Sequence, residues 1–79
     1  DYGNSFHTTW KEFGDKGIVT GVARISDKYH RLLNLSLGTE PFVDESIEDT
    51  LMDMANYCIL TLMELEKDRS MNSDKTEKE

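Results

Sequence analysis

Apolar residues recur along this chain at intervals of three and four, and nowhere do they alternate one by one as a half-buried strand requires. The pattern predicts an all-α fold. Phe6, Trp10 and Phe13 stand at i, i+4 and i+7, with Asn4 or Ser5 placed to cap a short first helix and Gly14 placed to end it. A loop through Asp15, Lys16 and Gly17 leads to a second helix. There Ile18, Val22, Ile25, Tyr29, Leu32 and Leu33 share one face for about five turns, across the poor helix former Gly21. Gly38 closes that helix. The segment GTEPFV, with Pro41, predicts a reversal, so the third helix is expected to return antiparallel as a helical hairpin.

Asp44 is placed to cap the third helix, and the acids after it suit the positive end of a helix dipole. Ile47, Leu51, Met54, Ala55, Cys58, Leu62 and Leu65 fall on one side and form its expected core face. From Leu60 onward the apolar character widens, since Leu60 and Met63 lie away from that face. A helix apolar nearly all round needs cover on two sides, which implies a partner subunit. Residues 1–66 therefore read as one helical domain. Residues 67–79, with Met71 as the single large apolar side chain, read as a frayed or disordered charged tail.

Length sharpens the expectation of a partner. A chain of 79 residues builds one core that is only marginally self-sufficient, and a homodimer or homotetramer is expected. The formal charge of -7, from nine basic and sixteen acidic side chains, excludes nonspecific binding to duplex nucleic acid, which needs a basic surface. Cys58 has no second cysteine to pair with and reads as a small buried side chain in a reducing compartment. No apolar run approaches the ~20 residues of a membrane span, and no signal-peptide pattern is present, so a cytoplasmic protein is expected. The chain begins at Asp1 rather than Met, and a segment upstream of it is expected.

Charge patterning supplies the candidate chemistry. Glu45, Glu48, Asp49 and Asp53 crowd the start of the third helix, and Asp49, Asp53 and Asn56 lie within about 80° of Glu45 around its axis. Like charges at i, i+4 repel by a few tenths of a kcal/mol per pair, so something positive should face them. Arg24, Lys28 and Arg31 form a mainly basic stripe on the second helix, and a hairpin would set the two stripes along one groove. Two readings follow. In one, the stripes are solvated and Arg24 or Arg31 pairs with Asp49 or Asp53. In the other, Glu45, Asp49 and Asp53 hold Mg2+ while Lys28 and Arg31 hold phosphate oxygens, because Mg2+ takes hard oxygen ligands and commonly shares them with a substrate's phosphates. His7 reads as a surface or pocket-edge residue and His30 as a surface one, Trp10, Phe6 and Phe13 read as core, and Met52, Met54 and Met63 as adaptable packing.

The runs DYGNSF, RISDKYHRLLNL and DESIEDTLMDMANYCILTLMELE resemble a phage and bacterial family of small helical proteins, over nearly the whole chain up to Glu66. More distantly, the acidic turn leading to Asp49 and the pair Ala55–Asn56 resembles the third-helix motif of MazG-like all-α nucleoside triphosphate pyrophosphohydrolases. That resemblance implies an oligomeric helical bundle that cleaves a nucleotide, with Mg2+, to a nucleoside monophosphate and pyrophosphate. Asp49 would match the aspartate of the Glu-x-x-Asp metal motif, with Asp53 and Asn56 following. Glu45 would serve where Ser46 stands three residues before Asp49, and Glu48 would be the general base. The preceding Glu-x-x-Glu motif is absent, with Asp27, Lys28 and Arg31 in its place. The expected function is thus a Mg2+-dependent pyrophosphohydrolase or a nucleotide-binding relative of one. The alternative is a noncatalytic acidic regulator that binds a host protein.

Overall fold

A computed structural model describes residues 2–38 and 43–78, and side chains within residues 3–38 and 44–71. Three helices, α1 (Tyr2–Glu12), α2 (Ile18–Leu37) and α3 (Val43–Lys78), with a 3-10 turn at Gly14–Lys16, account for nearly all of it, and no strand occurs among the described residues. Phe6 and Trp10 place α1 as expected, whereas Phe13 falls just past its last residue and is exposed rather than core, and Gly14 takes the left-handed conformation (φ 58°) that other residues avoid. The helix starts earlier than a cap at Asn4 or Ser5 would have it. The carbonyls of these two residues instead accept bonds from the hydroxyls of Thr8 and Thr9, one turn on. Asp44 likewise falls inside the first turn of α3 rather than before it. The reversal expected through Pro41 lies outside the described residues.

α2 and α3 are antiparallel: going forward on α2 from Gly21 to Lys28, the partner on α3 moves back from Thr61 to Asp53. Gly21 sets how closely they approach. A Cβ at that position would overlap the side chain of Thr61, itself buried with its hydroxyl turned back to the carbonyl of Tyr57. Backbone permissiveness costs about 1 kcal/mol in a helix interior, and here close packing offsets it. α1 runs alongside α3 in the same direction, with His7 against Glu64 and Trp10 against Asp68. Trp10 is 1% exposed and lies against Gly17, where a Cβ would overlap its indole. Phe6 joins it at a ring-centroid distance of 6.0 Å and reaches Tyr57 on α3 at 5.9 Å.

The packing face of α3 differs from the stripe that periodicity selects. Thr50, Thr61 and Glu64 are buried and Asp53 and Tyr57 half-buried, whereas Leu51, Ala55, Cys58 and Leu62 are exposed. Only Ile47, Met54 and Leu65 of the expected face remain half-buried. At ~100° per residue, the face turned inward lies roughly 100° round the axis from the most apolar one. The expectation of a buried Cys58 is corrected accordingly: its thiol lies on the open side. α2 shows the same offset, with Thr20 and Gly21 buried and Ile18, Val22, Tyr29 and Leu33 exposed. On α2 the residues that α1 approaches, Gly17, Thr20 and Arg24, lie to one side of the contact with α3 and the exposed apolar stripe lies to the other, while on α3 the residues meeting α1 and α2 share one face and the exposed apolar stripe lies beside it. The hairpin is therefore a two-helix layer with a polar face, part-covered by α1, and a bare apolar face.

The third helix also outlasts its expected limit near Glu66 and continues to Lys78. Beyond Glu66, Asp68 accepts the Trp10 Nε1–H at 2.9 Å, Lys67 reaches Glu64 at 3.4 Å and Arg69 reaches Glu66 at 3.1 Å. The molecule is elongated, 59 × 20 × 16 Å, with a radius of gyration of 16.1 Å. A compact chain of this length would give about 12 Å.

Candidate functional site

The polar face beyond the reach of α1 holds the candidate site. Lys28 Nζ lies 3.1 Å from Asp53 Oδ2, so the basic stripe of α2 and the acidic stripe of α3 do border one groove. Lys28 and Asp53 are both half-buried. The cation that reaches the acids is Lys28 rather than either arginine. Among the described residues, Arg24 and Arg31 make no ion pair.

The remaining site residues stand around this pair. Glu45, Glu48, Asp49 and Asn56 are exposed on α3, and Arg31 is exposed on α2. Asp49 sits one turn before Asp53, and Asn56 about one turn after it, so helical phase keeps the three along one edge of the groove. Glu48 falls on another side of α3 from Asp53, separated by well over 100° at ~100° per residue. Its carboxylate does not share the edge that carries Asp49 and Asp53.

Among the described residues, no three His, Cys, Asp or Glu side chains come together at metal-binding range. The arrangement fits the smaller contribution that Mg2+ asks of a protein when phosphates and waters supply the other ligands, namely one or two carboxylates. Asp49 and Asp53 can provide those, with Asp53 exchanging its contact to Lys28. They do not form a cage that would hold the ion without a substrate.

Two further polar contacts had no local sequence signal. His7 Nδ1 lies 2.8 and 2.9 Å from the two carboxylate oxygens of Glu64, whose side chain is 6% exposed, and Trp10 hydrogen-bonds to Asp68. Both join α1 to residues more than fifty positions away. They fasten the covering helix and lie apart from the Lys28–Asp53 groove. His30 is exposed as expected and bonds the Ser26 carbonyl at 2.8 Å through Nδ1.

No helix among the described residues is long and apolar enough to cross a membrane. A family model described as Nucleotide modification associated domain 1 matches residues 1–65, which take in α1, α2 and α3 through Leu65. No curated protein and no solved structure matches the chain.

Proposed function

Because the chain belongs to the Nucleotide modification associated domain 1 family, we propose that its polar groove binds a nucleotide with Mg2+ and hydrolyses it to a nucleoside monophosphate and pyrophosphate. The observation that carries this reading is the Lys28–Asp53 contact at 3.1 Å, which sets cationic and acidic side chains on the two sides of one groove. Asp49 and Asp53, with Glu45 a turn earlier, would hold the ion. Mg2+, when bound, screens phosphate charge and acidifies the attacking water. Lys28 and Arg31 would hold phosphate oxygens, Lys28 turning from Asp53 as the ion takes its place, and Asn56 would bond a polar edge of the substrate. Glu48 needs a different position relative to the groove to act as base, and a neighbouring copy of the chain is one source of that groove's other wall.

Such a copy is part of the proposal. The stripes Ile18, Val22, Tyr29 and Leu33 on α2 and Leu51, Cys58 and Leu62 on α3 form one bare apolar layer, while Phe6 and Trp10 are the buried hydrophobic core among the described residues. So small a core is poorly able to hold three helices, and a second hairpin laid on this layer would complete a helical bundle as a homodimer or, doubled again, a homotetramer. An exposed thiol at Cys58 suits the reducing cytoplasm expected for it.

The deciding measurement is release of pyrophosphate from a panel of nucleoside triphosphates with Mg2+. Asp49→Ala should abolish turnover while leaving the circular-dichroism spectrum helical; turnover equal to that of the parent chain would remove Asp49 from the site. A melting temperature raised by nucleotide without pyrophosphate release would support a nucleotide-binding relative that lacks hydrolysis. No response to nucleotide in either assay would favour the acidic regulator that engages a host protein.

A further inference from the structure

A cavity of about 160 Å³ opens where α1 meets the start of α2, lined by Ser5, Phe6, Thr9, Thr20, Arg24 and Tyr57. One lining residue carries an orphan. Thr20 is 3% exposed, and its Oγ1, closed to solvent and turned toward the cavity only by rotation about Cα–Cβ, has no hydrogen-bond partner among the described residues. Other hydroxyls on these helices turn back to the carbonyl four residues earlier, as in Thr8, Thr9, Ser36, Thr50 and Thr61. Thr20 lacks that outlet because position 16 belongs to the 3-10 turn, and the Thr20 N–H itself bonds the Gly17 carbonyl. A buried hydroxyl left this way costs about 1–3 kcal/mol.

Arg24 supplies the second observation. In a chain with sixteen acidic residues, this exposed side chain has no carboxylate partner among the described residues, yet it lines the same cavity. Ser5 adds a hydroxyl from the opposite wall, whereas the Thr9 proton is already given to the Ser5 carbonyl at 3.1 Å. Donors thus come from α1 and α2, and no carboxylate among the described residues lines the space.

We propose that this cavity is an oxyanion site that takes one phosphoryl group, with the Arg24 guanidinium and the Thr20 and Ser5 hydroxyls donating to its oxygens. The volume is close to that of a cavity that holds a single benzene, ample for one phosphoryl group and too small for a nucleoside. Arg24 stands one turn before Lys28, and Tyr57 one turn after Asp53, so the cavity continues the groove toward α1. The site rests on its own donors and requires neither Mg2+ nor hydrolysis.

The test is a titration of the full chain with inorganic phosphate, pyrophosphate and a nucleoside monophosphate, free of divalent metal, followed by amide chemical shifts at Thr20 and Arg24. All three should bind. A tighter nucleotide arm assigns the phosphoryl group to a nucleotide, and equal arms assign it to free phosphate. Arg24→Gln should weaken binding roughly tenfold or more, and Thr20→Val by roughly three- to tenfold, on the usual worth of charged and neutral hydrogen bonds. Arg69→Gln, on α3 away from both the cavity and the groove, should change phosphate binding less than twofold. Thr20→Val should also melt no lower than the parent in the absence of ligand, since it removes an unpaired buried hydroxyl. Absence of phosphate-dependent shifts at these residues, or Arg24→Gln and Thr20→Val titrating like the parent, overturns the site and leaves a cavity that holds water only. Pyrophosphate release in the Mg2+ assay is independent of either result.

Discussion

The two faces of the α2–α3 hairpin are built on opposite principles. On the polar face, contacts are few, directional and specific: Gly21 against Thr61 at the junction, Trp10 Nε1 on Asp68, His7 on Glu64 and Lys28 on Asp53. On the other face, apolar area is plentiful and nothing within the described chain covers it. The difference separates two tasks that a larger protein performs with one core. Directional contacts fix how the three helices sit relative to one another, while the hydrophobic area that would stabilise them is left for an assembly.

Trp10→Ala should produce the largest loss. Truncating a buried tryptophan costs about 3–5 kcal/mol, comparable to the entire stability a core this small can supply. Thermal unfolding followed by helical ellipticity should lose its cooperative transition; a melting temperature within a few degrees of the parent would show that α1 contributes little. Leu62→Glu, on the bare face, comes next. Leu62 is 66% exposed in the single chain, so the substitution should leave an isolated subunit nearly unaffected. In an assembly it should cost roughly 1.5–3 kcal/mol per subunit. Light scattering should report a multimer for the parent and a smaller species for the variant; a monomeric parent would mean that the face is not an interface between copies. Lys28→Gln should have the smallest effect on stability, below about 1 kcal/mol, because the pair with Asp53 is only part-buried. A loss several times larger would move that ion pair from the candidate site to the structural core.

The sequence disclosed the helices more fully than their phases. Phe6 and Trp10, Gly14, and the four-residue spacing through α2 and α3 are local signals, and each helix they predict is present, although α1 and α3 begin before their expected caps and α3 runs on past Glu66. The inward face of α3 departs from the expected one because periodicity marks the most apolar stripe, and here that stripe does not face α2. Close approach at Gly21 requires a small side chain opposite, which Thr61 provides and Leu62 would not. The convergence of the charged stripes was legible, since a short reversal forces α2 and α3 together, and Lys28 and Asp53 do meet. That Lys28 rather than Arg24 makes the contact was not legible, because helical spacing orders side chains around an axis without fixing how the two helices slide. Glu64 and Asp68 carry no local signal for another reason: their partners His7 and Trp10 are 57 and 58 residues away, and Asp68 lies in a stretch whose polarity resembles that of a solvated tail.

Trp10 is also the single tryptophan of the chain. Its indole is shut away from solvent and tethered at Nε1 to a carboxylate of α3, so its emission should report one event, the departure of the N-terminal helix from the hairpin. A shift to longer wavelength that precedes the loss of helical ellipticity would reveal a detached state still folded as a hairpin. The protein thus carries an intrinsic optical gauge of whether its first helix is docked.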